Sequence, residues 1–459
     1  MKNLSKTLSI QNKIKPFNKK IFIEGDKSIS IRWALIASQA SGKSVSKNLL
    51  KSEDIISTLN CLKKLGVKIN LSSNNCEIIG LGINGYKYKK NITLNAGNSG
   101  TLGRLILGLM VHSREYIKII GDKSLSKRDF LRVINPLKKF GAKIKSNKGK
   151  LPIFIKGTKK PVPIKFFENK GSAQCKTAVM FAALNTEGKT IIKAKKSRNH
   201  SELLFKDLKL PIKVVKKKNH DLIEISGKVK NIKPLNYNIP SDISSSSFFL
   251  VLTALTQNSK LQINNVNINP SRIGIIKILK MMGIKVIFKN IKFYKGEKIA
   301  NIIIRSSKII YPINCPTNLN SQSIDEFLLI FLVAAKAKGI SYFKDLSELN
   351  QKESPRLKWG SKILKLMGVK TKTTKDSIKI YGNPNLRVDK KIIIKNFLKD
   401  HRVFMTSVIA ALTFGGKWTI HDKDSIKTSF PSFLKIIDSI KKDKNIEFCS
   451  KDPLNNEKI

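Results

Sequence analysis

The chain has 459 residues, 41% of them hydrophobic and 7% aromatic, with a formal net charge of +57. That length allows two or more domains with sizeable cores, and no apolar run, not even Phe327–Ala335, is long enough to span a bilayer. Residues 1–20 are polar and lysine-rich, without the apolar stretch of a signal peptide, so a cytoplasmic chain is expected.

The first structured segment reads as strand, tight polar turn and buried helix: Ile21-Phe22-Ile23, then Gly25-Asp26-Lys27-Ser28-Ile29-Ser30-Ile31-Arg32, then Trp33-Ala34-Leu35-Ile36-Ala37. Free N–H groups at a helix start favour an anion. Lys27 and Arg32 on either side of the serines point to a phosphate or carboxylate site; the alternative is an ordinary N-cap by Ser28 or Ser30. Five more helices with polar starts and apolar bodies follow, beginning near Ser99, Ser172, Asp242, Asp325 and Asp400. A helix that is apolar all round is buried.

A second phrase alternates with the first: an amphipathic helix, a glycine, a strand. It occurs at Leu62–Ile69 around Gly66, Leu137–Ile144 around Gly141, Leu279–Val286 around Gly283 and Leu364–Lys370 around Gly368. Degenerate copies lie at Leu208–Val214, with Pro211 in the glycine's place, and at Leu434–Ile440. Glycine suits the left-handed residue that ends a helix. The repeating unit is therefore buried helix, strand, surface helix, strands, six times over at a period of about 70–80 residues. Three units can cover three buried helices, so six predict two lobes of three, with the break near Asn236–Pro240. The polar helix starts of the lobes are expected to converge on a cleft.

Those starts carry the chemistry. In chain order they offer Lys27, Ser28 and Arg32; Asn98–Thr101 with Arg104 and Arg128; Ser172–Gln174, Lys176 and Ser197–His200; Asp242–Ser245 and Arg272; Asp325, Glu326, Lys352, Glu353 and Arg356; and Asp400–Arg402 with Lys427–Ser429. In a chain that uses lysine wherever a generic cation serves, arginine marks places that need a planar fork for carboxylate or phosphate. The set suits small substrates bearing phosphate and carboxylate, with Asp325 and Glu353 as candidate base and acid. Taken singly, Asp325 and Asp400 read equally as helix caps. No P-loop or GxGxxG follows a strand. Five scattered cysteines (Cys61, Cys76, Cys175, Cys315, Cys449) show no metal-ligand spacing and predict a reduced chain without disulfides. The lysine excess is spread over every segment without interleaved aromatics, which argues against a nucleic-acid face.

Together the segments Gly25–Arg32, Gly97–Arg104, Ser172–Gln174, Asp242–Ser245, Ile324–Glu326, Lys352–Arg356, Asp400–Arg402 and Ser429–Pro431 resemble the 5-enolpyruvylshikimate-3-phosphate synthase family, in order and over nearly the whole chain. The resemblance implies an α/β fold: a two-lobed inverted α/β barrel, or prism, of six βαβαββ repeats, three per lobe, with helices inside and sheets outside. One lobe would comprise residues 1–23 and 241–459 and the other 24–240, with the active site in the cleft between them. It also implies the reaction: the 5-hydroxyl of shikimate 3-phosphate attacks C2 of phosphoenolpyruvate while C3 is protonated, and phosphate then leaves. By position, Lys27, Ser28, Arg32, Ser172, Ala173, Gln174, Arg198, Asp325 and Lys352 would bind shikimate 3-phosphate. Lys27, Gly100, Arg128, Gln174, Arg356 and Arg402 would bind phosphoenolpyruvate. Asp325 would be the base and Glu353 the proton donor. No metal or cofactor is implied; the partners are the two small substrates, without nucleic acid or membrane, and a monomer is expected.

The chain departs from the family pattern at Ile31, Ala173, Asn199, Pro355 and Val403-Phe404, and Lys427 stands one place out of register. Pro355 falls inside the Lys352–Arg356 motif. The related UDP-N-acetylglucosamine enolpyruvyl transferases typically use a loop cysteine, and only Cys175 lies in a polar patch.

Overall fold

The computed structural model describes residues 7–73 and 75–442; Cys449 lies outside them. The chain forms two compact units. One comprises the chain up to Glu24, Pro240–Lys292 and the chain from Lys298 onward; the other comprises Gly25–Ile239 and Phe293–Glu297. The sequence-based division, at 23/24 and 240/241, did not foresee the excursion at Phe293–Glu297. That segment caps a hairpin of two strands, Val286–Tyr294 and Glu297–Arg305. Tyr294 meets Tyr237 edge-on at 5.5 Å and accepts a hydrogen bond from the Asn238 amide, and no hydropathy pattern announces such a contact.

In the unit built on Gly25–Ile239, three helices are buried: Lys27–Ala37, Gly100–Leu109 and Ala173–Leu184. Each is followed by a strand and then by a helix with a more exposed face: Glu53–Lys64, Leu131–Lys139 and His200–Asp207. Three four-stranded sheets accompany them, each with one parallel and two antiparallel pairings. The other unit repeats the plan. Its buried helices are Ile243–Leu255, Phe327–Ala335 and His401–Phe414, and Gly274–Met281, Arg356–Leu366 and Phe433–Lys441 are the amphipathic ones. One sheet of four strands and two of three complete it. Each unit has its own hydrophobic core.

Strand alternation explains where the lysines go. In Lys189–Lys195, Thr190, Ile192 and Ala194 are buried while Lys189, Lys193 and Lys195 face out. Successive side chains point to opposite faces, so each outward position can be lysine without disturbing the core. Lysines on this strand thus add charge without touching the core.

The repeat glycines do what their positions require. Gly66, Gly141, Gly283 and Gly368 all have positive φ. In the degenerate copy before Pro211 the left-handed residue is Lys209, at φ 53°. Two of these glycines separate backbone strain from crowding. A Cβ on Gly368 would meet nothing within 4 Å, whereas one on Gly66 would lie 2.7 Å from the Lys87 carbonyl oxygen. Gly368→Ala is expected to cost about 1 kcal/mol, from the left-handed backbone alone. Gly66→Ala should cost clearly more; equal shifts in denaturant midpoint for the two variants would contradict this.

Candidate functional site

The buried helices begin where the polar patches were read, and their caps show why the sequence stops and starts there. Asp26, Ser99, Ser172, Asp242 and Asp400 each accept an N-terminal amide of the helix they precede. Such caps satisfy donors that a helix start leaves open. In the first unit the cap is Asp26, not Ser28 or Ser30. The fifth helix differs: Glu326 stands at the cap position without capping, and Asp325 lies in the preceding turn.

In the Gly25–Ile239 unit, Lys27 opens its helix and reaches Asp54 at 3.2 Å. Ser28, one residue on, is half-buried. Arg32 is buried and donates to Ser201 Oγ (2.7 Å), Thr177 Oγ1 (3.4 Å) and the Ser28 carbonyl (3.0 Å), tying the first helix start to the third repeat. Gln174 links the second and third repeats: its side chain donates to Thr101 Oγ1 and accepts from Arg104. Arg104 also donates to the carbonyls of Gly100 and Asp129 and stacks over Phe130. All its hydrogen-bond acceptors are neutral oxygens. Burial, with Arg128 and Arg132 nearby, pushes its guanidinium down to about 10. Ala173 is the first residue of its helix, and Arg198 is half-buried in the loop before His200–Asp207. Two buried pairs stand close in sequence to this group: Lys176–Glu202 at 2.6 Å and His200–Glu297 at 2.6 Å.

Gly100 shows how tightly its helix start is packed. A Cβ there would sit 2.9 Å from both Arg104 Nη1 and Arg128 Nη1. Two guanidinium groups therefore flank the open amides of one helix start, the arrangement that binds an anion. These side-chain ends can move, so Gly100→Ala should fold normally while displacing both. If this is an anion site, we expect roughly a ten-fold loss of affinity for the anionic substrate, about 1.4 kcal/mol. Unchanged KM values for both substrates in steady-state kinetics would remove Gly100 from the site.

In the other unit the predicted residues form one charged cluster. Arg356, 2% exposed, contacts three carboxylates: Nη1 to Asp325 Oδ1 (3.2 Å), Nη2 to Glu353 Oε2, and Nε to Asp400 Oδ2 (2.9 Å). Lys352 Nζ lies 3.5 Å from the same Asp325 oxygen. Arg402 donates to the Asp325 carbonyl (2.9 Å) and lies 3.8 Å from Glu326. Ser244 Oγ donates to Glu326 and accepts from Arg272. Burial works against charge on Arg356, but Asp400, Glu353 and Asp325 outweigh it and hold the guanidinium above its ordinary range.

Asp400 is the fixed point. It is fully buried and accepts from Ser354 N and Oγ, Arg356 Nε and Nη2, and Arg402 N. It caps a helix, as the plain reading of the sequence allowed, and anchors Arg356 as well, which that reading missed. Burial alone would raise its carboxyl; Arg356 and the hydrogen bonds win and hold it low. A folded-state value below the unfolded one stabilises above the unfolded value and is lost as pH falls through the folded one. Asp400→Asn should therefore destabilise at neutral pH, by about 3 kcal/mol as for a broken buried pair. It should also flatten the loss of stability on the acid side of pH 4. An unaltered acid limb in pH-dependent denaturation would contradict this.

Pro355 occupies the cap position of Arg356–Leu366, and its carbonyl accepts from Trp359 N. A proline there forfeits no intrahelical donor, and Glu353 still reaches Arg356. Ile31, Val403 and Phe404 are core residues. Asn199 stands at the cap position of His200–Asp207. Lys427 is more than half exposed and lies 3.7 Å from Asp424. Cys175 is buried and its thiol is pushed up by burial, the reverse of an activated nucleophile. Among the described residues no group of three or more His, Cys, Asp or Glu is placed to hold a metal ion, and no helix is long and apolar enough to cross a membrane. A cavity of about 600 Å³ lined by Lys358, Ser361, Lys362, Lys365 and Lys390 contains none of the predicted site residues.

Known structures define the class first. A solved EPSP synthase from Acinetobacter baumannii is 32% identical, with a TM-score of 0.83 over 95% of this chain and 98% of that one. The enolpyruvyl transferase NikO from Streptomyces tendae, at 12% identity, has a TM-score of 0.74 over the same shares and speaks for the fold alone. The chain thus has the mixed α/β fold of enolpyruvyl transferases. A family model for EPSP synthase (3-phosphoshikimate 1-carboxyvinyltransferase) matches residues 11–437. The 3-phosphoshikimate 1-carboxyvinyltransferase of Ruthia magnifica subsp. Calyptogena magnifica is 39% identical over 91% of this chain and 94% of its own length. That of Endomicrobium trichonymphae is 34% identical over 92% and 96%. The chain belongs to the EPSP synthase family.

Proposed function

We propose that this chain is a 3-phosphoshikimate 1-carboxyvinyltransferase: it transfers the enolpyruvyl group of phosphoenolpyruvate to the 5-hydroxyl of shikimate 3-phosphate and releases phosphate, a step of aromatic amino acid biosynthesis. The observation that carries the reading is Arg356 holding Asp325 and Glu353 side by side, in a family whose reaction needs a base on a hydroxyl and an acid on a carbon. The finer architecture fits a two-lobed inverted α/β barrel of six repeats.

In this reading the polar helix starts bind the two substrates. Lys27, Ser28, Arg32, Ser172, Ala173, Gln174 and Arg198 hold shikimate 3-phosphate, with Asp325 and Lys352. The start of the Gly100 helix with Arg128, together with Lys27, Gln174, Arg356 and Arg402, holds phosphoenolpyruvate. Arginine forks match carboxylate and phosphate oxygens in pairs, and fixing both reactants turns an encounter of two anions into a positioned reaction. Asp325 takes the hydroxyl proton and Glu353 protonates C3. The enzyme works as a cytoplasmic monomer, without cofactor, nucleic acid or membrane.

Phosphate should appear in a coupled release assay only when both substrates are present. Asp325→Ala and Glu353→Gln should each lose roughly 10²-fold or more in turnover, the usual scale for a removed general acid or base, while keeping the fold. Lys27→Ala should raise KM for both substrates. Wild-type rates in the two acid variants would overturn the role assignments, and phosphate release without shikimate 3-phosphate would overturn the function.

A further inference from the structure

The cluster around Arg356 holds more carboxylates than cations. Asp242, Asp325, Glu326, Glu353 and Asp400 face Arg272, Lys352, Arg356 and Arg402, five acids against four cations. Glu353 sits on Arg356, with Asp325 and Asp400 on the same guanidinium and His401 next to Asp400. A carboxylate paired with a buried guanidinium favours its ionised form. The role given to Glu353 above, delivering a proton to C3, requires the neutral acid. The Arg356 contact therefore favours the ionised form of the proton donor, the form that cannot deliver a proton.

The three carboxylates on Arg356 are not equally able to leave. Asp400 is fully buried and accepts five hydrogen bonds. The side chains of Glu353 and Asp325 are 16% and 15% exposed. An incoming anion can displace Glu353 and leave Asp400 holding Arg356 in place, while Lys352, 3.5 Å from Asp325, keeps that carboxylate charged. Resting on the function proposed above, we propose that phosphoenolpyruvate arms its own proton donor. Its anionic group takes Arg356 from Glu353, and Glu353 then binds the proton it delivers to C3. Losing an opposite charge and gaining a like one both favour the neutral acid, and at a 2%-exposed guanidinium both act with little solvent screening.

The chemistry then balances. Glu353's proton forms the new C3–H bond as the 5-oxygen of shikimate 3-phosphate bonds to C2, and the hydroxyl proton passes to Asp325. In the second step the C2–O bond to phosphate breaks. Glu353 takes a proton back from the methyl group as the C2=C3 double bond reforms, and the proton on Asp325 leaves with phosphate. Both acids return to their starting states.

The test is the proton count on binding. Phosphoenolpyruvate is titrated calorimetrically into enzyme saturated with 5-deoxyshikimate 3-phosphate, which lacks the attacking hydroxyl, in buffers of different ionisation enthalpy at neutral pH. Wild type should take up about one proton more per phosphoenolpyruvate than Glu353→Gln. Infrared difference spectra should show a protonated-carboxyl band that appears with phosphoenolpyruvate in wild type and is missing in the variant. Equal proton counts and no such band, with binding intact, would overturn this inference and leave the function standing. Failure of phosphoenolpyruvate to bind at all would overturn both.

Discussion

The three-carboxylate grip on Arg356 is the constraint on which the rest depends. A buried guanidinium is costly to desolvate, and removing one of its partners would leave charge uncompensated. Here it is held by Asp400 from one helix start, Asp325 from the turn before another, and Glu353 from its own approach loop. Three segments from two of the unit's repeats must therefore fold around it in a fixed register. The same contacts place a candidate base and a candidate acid on one guanidinium, so a structural requirement and a chemical one are met by the same atoms.

In the Gly25–Ile239 unit two arginines are held differently. Arg104 makes hydrogen bonds only to neutral oxygens, Arg32 donates to hydroxyls and a carbonyl, and Arg104 and Arg128 crowd a glycine-opened helix start. Held by neutral acceptors, Arg104 keeps most of its attraction for an anion. The buried arginines Arg32, Arg272, Arg356 and Arg402 carry the argument because they sit at or beside helix starts, whereas most lysines are solvated.

Much of this was legible in the sequence. The sixfold alternation of buried and amphipathic helices, the glycine turns at Gly66, Gly141, Gly283 and Gly368, and the polar helix starts all follow from local pattern, because each repeat obeys the same burial rule. The grouping of Asp325, Lys352, Glu353, Arg356 and Arg402 followed from resemblance and is met by contacts inside one unit. Less legible were partners set by three-dimensional neighbourhood. Asp54 opposite Lys27, Ser201 and Thr177 on Arg32, and the excursion of Phe293–Glu297 belong to no periodic pattern. Asp400 was ambiguous for a physical reason: a cap and an ion-pair anchor use the same carboxylate, and sequence shows only the cap. Part of the lysine excess is the outward half of ordinary strand alternation, as in Lys189–Lys195.

In the proposed reaction Glu353, beside Arg356, moves a proton to and from C3 of phosphoenolpyruvate. Turnover in D₂O tests it most directly, with NMR detection of deuterium in the product's vinyl methylene. A transient methyl group formed by protonation at C3 and then stripped of one hydrogen should leave deuterium in the product made by the wild-type enzyme. Product formed at the normal rate and free of deuterium would contradict the account.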